Sequence, residues 1–279
     1  MQTTTEPLIR TYPTIGQCFD IAGILIMAKL LVSLSNFGLG EILGEEPTML
    51  LYYVLSIGMP FWVVNTIRKR ITGESSFVFT VNNPRIIPLF IVVTLALLFG
   101  IISPLGSLIP MPDSFKEAFR TMAGQTGIMS FILIVIVAPV FEELIFRGIM
   151  LEGLLKKYTP MRSIMISSLL FGFVHLNPWQ FIAGFIISIF CGWVYYKTRS
   201  LMPSIIIHAA ANLSGFSVRF FADMDSVLDD TIYEMYGNIT NLAAVVIGSI
   251  ITIWICVYFL KKELIKEEAK TWSSGLADE

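Results

Sequence analysis

The chain has 279 residues, 55% of them hydrophobic and only 14% charged, with a mean hydropathy of +0.74. Soluble domains carry roughly a quarter charged residues, and this composition leaves too little polar surface to keep such a core in water; a soluble enzyme is excluded and an integral membrane protein expected. Nineteen basic residues against 21 acidic ones give none of the positive excess that a nucleic-acid partner requires.

The N-terminal stretch has no basic region of the signal-peptide kind, so the first apolar run is expected to act as an uncleaved anchor. A helix needs about 20 apolar residues to cross a bilayer. Eight runs are candidates, at roughly 15–37, 48–67, 87–109, 125–147, 163–178, 180–197, 201–219 and 240–260. The fifth and sixth are short and separated only by "NPW", so one of them is expected to be tilted or broken. The runs are continuous rather than alternating, which favours helices over a barrel. The expected fold is an all-α membrane protein, a bundle of about eight transmembrane helices.

The loops set its orientation. "RKR" (68–70), "KKY" with Arg162, "KTR" (197–199) and "KKELIKEEAK" (261–270) hold most of the Lys and Arg, whereas the alternate loops are "EILGEE" (41–46), "MPDSFKEAFR" (111–120), "NPW" and the acidic "ADMDSVLDD" (222–230). The basic set is expected in the cytoplasm, and an even number of spans then places both termini there. Without internal repeats or low-complexity tracts, 1–279 reads as a single integral membrane domain. The insertion 222–238 reads as a solvated outer loop. Cys18, Cys191 and Cys256 are far apart, with neither disulfide nor zinc spacing.

Against this apolar background a few polar residues stand out. A charge at mid-bilayer costs about 2.5–3.5 kcal/mol on insertion scales, so such groups tend to face the bundle interior and mark function. In "FEELIFRGIM" (141–150), Glu143 and Arg147 are four apart and share a helix face, as an ion pair at a helix end would. Glu142 is turned away from that face, follows Pro139, which can kink the helix, and lies roughly 7–8 Å inside Arg147. A partly desolvated carboxylate there can serve as a base. "FGFVHLNPW" places Phe171 one turn before His175, where its ring can wall a pocket. In "SIIIHAAANLSG", His208 and Asn212 share one face of the seventh helix, equally consistent with an interhelical clamp. Lys29 and Asp20, in the first span, read best as a snorkelling or structural pair and receive no role.

Together these stretches resemble the CPBP family, named for CAAX prenyl proteases and bacteriocin-processing enzymes and also called Abi proteins. Its motifs EExxxR, FxxxH and HxxxN appear in order as Glu142-Glu143 with Arg147, Phe171 with His175, and His208 with Asn212. The likeness covers roughly 125–215, the motif-bearing core on helices four to seven. It implies an intramembrane endopeptidase that hydrolyses a peptide bond in a membrane-associated protein or peptide, prenylated at a CAAX end in eukaryotic relatives. By similarity, Glu142 activates water with the help of His175, His208 and Asn212 form an oxyanion hole, and Glu143, Arg147 and Phe171 support the site. The resemblance also implies a bacterial plasma membrane and a cavity open to the cytoplasm. A glutamate mechanism needs no cofactor; a Zn²⁺ held by Glu142, His175 and His208 is the open alternative. For the two histidines to share a level, the fifth helix must be steeply tilted or begin in the cytosol, because His175 counts roughly 20 Å deep from Arg162 and His208 about 12 Å from Ser200.

Other readings fare worse. The chain lacks the HExxH of zinc proteases of the site-2 type, and "GLGE" (38–41) lacks the aspartate of a presenilin-type GxGD motif. A transporter with a proton relay predicts paired broken helices in duplicated halves, and no such symmetry is present. A non-catalytic scaffold or immunity protein on the same fold remains the third alternative.

Overall fold

The computed structural model describes residues 11–35, 39–221 and 223–275. Among these residues the secondary structure is helical throughout, without a strand. The main helices are α1 (Ile15–Ser35), α2 (Glu46–Thr72), α3 (Pro84–Gly106), α4 (Asp113–Gly124), α5 (Ile128–Leu155), α6 (Pro160–Phe173), α7 (Pro178–Thr198), α8 (Leu201–Phe221) and α9 (Ile239–Gly275). Seven of these, all but α4 and α6, contain a stretch long and apolar enough to cross a membrane. The chain is an all-α, multi-pass membrane protein.

The fifth expected span is where sequence and structure differ. α6 has 14 residues, about 21 Å of rise against a hydrocarbon core of about 30 Å. It stops at Phe173, so His175 lies in the turn between α6 and α7 rather than inside a span. The chain ends expected in the cytoplasm, 1–10 and 276–279, are outside the described residues.

Three membrane helices contain a widened π-helical stretch, and each stretch runs up to a proline. Val54–Gly58 precedes Pro60, Leu98–Ile102 precedes Pro104, and Ile132–Val137 precedes Pro139. Proline has no N–H to donate and its ring crowds the carbonyl four residues back; widening the preceding turn relieves both. A fourth π-helical stretch, Leu144–Leu151, contains Arg147.

Two apolar cores are bridged by a third, smaller one around Leu144 and Leu151 of α5, Tyr195 of α7 and Leu201 of α8. One joins Cys18, Ile21 and Leu25 of α1 with Ile145, Phe146 and Ile149 of α5 and Leu170 and Phe171 of α6. The other joins Phe90 of α3, Phe190 and Val194 of α7, Ile207 of α8 and Leu260 of α9. Large apolar side chains such as Trp62, Phe221 and Trp254 are exposed, as suits surfaces solvated by lipid. All three cysteines are free and buried.

The loops gather at the ends of the bundle in the two sets that their charges suggest. At one end, Lys156 pairs with Glu74, Arg199 with Glu152, and buried Arg68 lies over the Phe77 ring. The Lys156 ammonium, hydrogen-bonded to Glu74, holds that carboxyl below its usual range. Ser200 ties the segment 78–80 to the start of α8. At the other end, Lys116 and Arg120 of α4 both pair with Asp229. The expected outer loop is therefore structured: beyond Ala222, which is outside the described residues, it forms the short helices Met224–Asp229 and Ile232–Tyr236.

Helix α5 is pinned to the chain before α1 at Gly153. A Cβ there would lie 2.3 Å from the Tyr12 carbonyl oxygen and 2.4 Å from Pro13 Cδ, whereas one at Gly23 would meet nothing within 4 Å. Backbone cannot step aside as a flexible side chain does. Gly153→Ala is expected to cost about 1–3 kcal/mol, the usual range for overpacking, read as a lower thermal midpoint in detergent. Gly23→Ala, inside α1 with room for the methyl, should not lower that midpoint.

Candidate functional site

The site is assembled where α5, α6 and α8 converge. On α5, Glu143 and Arg147 are both completely buried, and Arg147 Nη1 donates to Glu143 Oε1 at 2.9 Å. This is the i, i+4 pair expected from spacing, but it lies inside the bundle rather than at a wet helix end. Arg147 Nη2 also donates to the backbone oxygen of Ser188 at 3.1 Å and to its Oγ at 2.8 Å, and the guanidinium lies 5.0 Å over the Phe171 ring.

Glu143 has a second partner. His208 Nδ1 stands 2.9 Å from the same Oε1. A carboxylate can only accept, so Nδ1 carries the proton and donates. This turns His208 Nε2 toward Glu142, whose Oε2 is 3.7 Å away, beyond hydrogen-bond range. Glu142 is 9% exposed and makes no hydrogen bond within the described residues. Its charge is felt at Tyr52 and Tyr53 of α2 and at His175 in the α6–α7 turn.

His175 is oriented by the helix it follows. Its Nδ1 is 2.8 Å from the Phe171 carbonyl oxygen, an obligate acceptor, so Nδ1 again carries the proton and Nε2 is left as a lone pair in the neutral ring. The Phe171 ring stands 5.2 Å from the His175 ring and 5.5 Å from that of His208. The two histidines therefore pack against one and the same ring, which brings α8 next to the α6–α7 turn.

Asn212 is one turn beyond His208 on α8. Its Nδ2 donates to the Ile134 carbonyl oxygen at 2.8 Å. Ile134 belongs to the π-helical stretch ahead of Pro139, where regular i to i+4 bonding is broken and a carbonyl becomes available to a side chain. One amide N–H of Asn212 is used in this way and the second remains.

Among the described residues, no three His, Cys, Asp or Glu side chains stand close enough to hold a metal ion, so the possible zinc ligands Glu142, His175 and His208 are not assembled as a set. His208 Nδ1 is committed to Glu143, and Phe171 packs against both imidazoles. Ser188, the Ile134 carbonyl and the Tyr52–Tyr53 pair are contributors that sequence reading missed. Ser188 and the tyrosines belong to no motif, and a backbone carbonyl leaves no mark in a sequence.

Residues 124–214 match the family described as type II CAAX prenyl endopeptidase Rce1-like. Among curated proteins, UPF0177 protein YxdF of Lactococcus lactis subsp. lactis is 35% identical over 83 residues, which are 29% of this chain and 45% of that protein. The match thus spans less than half the length of this curated relative. No solved structure matches the chain. The segment 124–214 contains all three motifs, with Glu142, Glu143, Arg147, His175, Ser188, His208 and Asn212, and it is this segment of an integral membrane protein that is similar to the type II CAAX prenyl endopeptidase family.

Proposed function

We propose that this chain is an intramembrane endopeptidase that hydrolyses a peptide bond in a membrane-associated protein or peptide, with or without a lipid anchor, using water activated by Glu142. The observation that carries this reading is the state of Glu142: a buried carboxylate without a hydrogen-bond partner among the described residues, 3.7 Å from the His208 Nε2, whose ring shares the Phe171 ring with a second imidazole that has its own Nε2 unoccupied. Glu142 and His175 Nε2 hold a water between them. As its oxygen attacks the scissile carbonyl, its proton passes to Glu142. The oxyanion is met by the spare N–H of Asn212 and, when its ring is protonated, by Nε2–H of His208. Glu142 then returns the proton to the departing amine, leaving a carboxylate and an amine as products. The family match and the grouping of basic loops at one end of the bundle support a bacterial plasma membrane and a site reached from the cytoplasm.

The test begins without a known substrate. Wild type and Glu142→Ala are expressed at equal levels, and new protein and peptide termini are compared by mass spectrometry. Termini found only with the wild type identify a peptidase and its substrates. Equal termini, with both proteins inserted, would return the chain to the transporter or scaffold reading. Because the reaction as written uses only protein groups, 1,10-phenanthroline and EDTA are expected to leave cleavage intact; loss restored by added Zn²⁺ would overturn that mechanism.

A further inference from the structure

Lys29 is a cation inside an apolar helix and the mechanism above does not use it. It lies 14 residues past the start of α1, about 21 Å along the axis, where an unpaired charge is costly. No carboxylate among the described residues pairs with it; its ammonium makes one hydrogen bond, donating to the Val174 carbonyl oxygen at 3.3 Å. Val174 is the C-terminal cap of α6, where carbonyls lack helical partners, and the next residue is His175.

The turn that holds His175 is strained. Leu176 has φ 59°, a left-handed conformation that a leucine keeps only when its surroundings enforce it. Asn177 enforces it from one side: its amide donates to the His175 carbonyl oxygen at 3.0 Å and its Oδ1 caps α7 by accepting from Gln180 N at 2.9 Å. Lys29 holds the other side through Val174. The groups whose charges act on His175 come from three helices: Glu142 of α5, Lys29 of α1 and His208 of α8.

We propose that Lys29 is a positioning residue: by anchoring the Val174 carbonyl it fixes the turn 174–177 and thereby holds the His175 imidazole at the Glu142 site. The assignment rests on the peptidase reading of that site, and it gives a reason for a lysine at this depth in α1. A lysine that merely capped α6 would affect stability and leave turnover alone.

The experiment uses the full chain in detergent or liposomes, with a substrate identified by the terminus comparison. Lys29→Met is expected to lower kcat by about tenfold or more, as small misplacements of a reacting group do, with KM within about twofold of wild type, the signature of a lost transition-state interaction. Lys29→Arg, which keeps a cationic donor, should recover most of the turnover, and Asn177→Ala should lower kcat in the same way from the other side of the turn. A second measurement does not depend on activity. The chain has two histidines, so ¹⁵N-histidine NMR resolves each; Lys29→Met should alter the His175 signals and spare those of His208. Unchanged kcat with unchanged His175 signals would overturn the proposal, as would a raised KM at normal kcat, which would mark Lys29 as a substrate-binding group. If Lys29→Met does not fold, Lys29→Gln, which loses the charge but keeps a donor, takes its place. A chain that cleaves nothing yet shows the His175 change would refute the peptidase reading and leave Lys29 as the anchor of the turn.

Discussion

Glu142→Gln is expected to lower turnover by roughly two to four orders of magnitude, the usual contribution of a general base, while the protein folds and inserts as before. The second half of this expectation is as informative as the first. Glu142 makes no hydrogen bond among the described residues, and the imidazole nitrogen His208 Nε2 is 3.7 Å away. Glutamine fills the same volume without leaving a buried partner orphaned, so the usual route from a lost carboxylate to instability is closed. The same residue in a structural ion pair would show the reverse, a falling melting temperature with turnover kept in proportion to folded protein. The check is a cleavage assay beside thermal unfolding in detergent. Retention of even a tenth of wild-type turnover would exclude Glu142 as the base.

Sequence reading reached some features of this site and not others, for reasons that are physical. Spacing of four residues predicts a shared helix face, so Glu143 with Arg147 was legible; the 2.9 Å bond follows from helix geometry. Phe171, one turn before His175, was placed against the imidazole for the same reason, and its ring lies 5.2 Å from that of His175. Contacts between helices were not legible. Nothing in the spacing of α5 and α8 says that His208 bonds Glu143 rather than Glu142; that choice is made by how the two helices pack. The π-helical stretches were equally hidden: Pro139 announced a disturbance, but a kink and a widened turn answer the same missing N–H. Hydropathy also cannot fix where an apolar helix stops. The run 163–178 reads as a span that ends beyond His175, whereas α6 ends at Phe173 and leaves His175 in a turn. The insertion 222–238 reads as a solvated loop because it is the longest non-apolar stretch in the later part of the chain; Lys116 and Arg120, the partners of its Asp229, lie more than a hundred residues earlier.

The second large effect is expected at the buried pair, where stability and activity should separate. Glu143→Leu leaves the Arg147 guanidinium buried without a counter-charge, and breaking a buried pair in this way costs about 3–5 kcal/mol. Arg147→Leu leaves Glu143 with only His208 and also frees the Ser188 oxygens that Arg147 now contacts. The double variant Glu143→Leu/Arg147→Leu removes both charges together, and apolar replacement of a whole buried pair is often neutral. Its thermal midpoint is therefore expected to rise well above that of Glu143→Leu and approach wild type. Activity should not follow. Glu143 Oε1 is also the acceptor for His208 Nδ1–H, and without it the imidazole loses both its fixed tautomer and the carboxylate that stabilises its protonated form. The double variant is then a folded protein with an unaimed His208, expected to be as slow as Glu143→Leu. If it regains turnover together with stability, Glu143 serves only as the partner of Arg147, and its contact with His208 has no part in the chemistry.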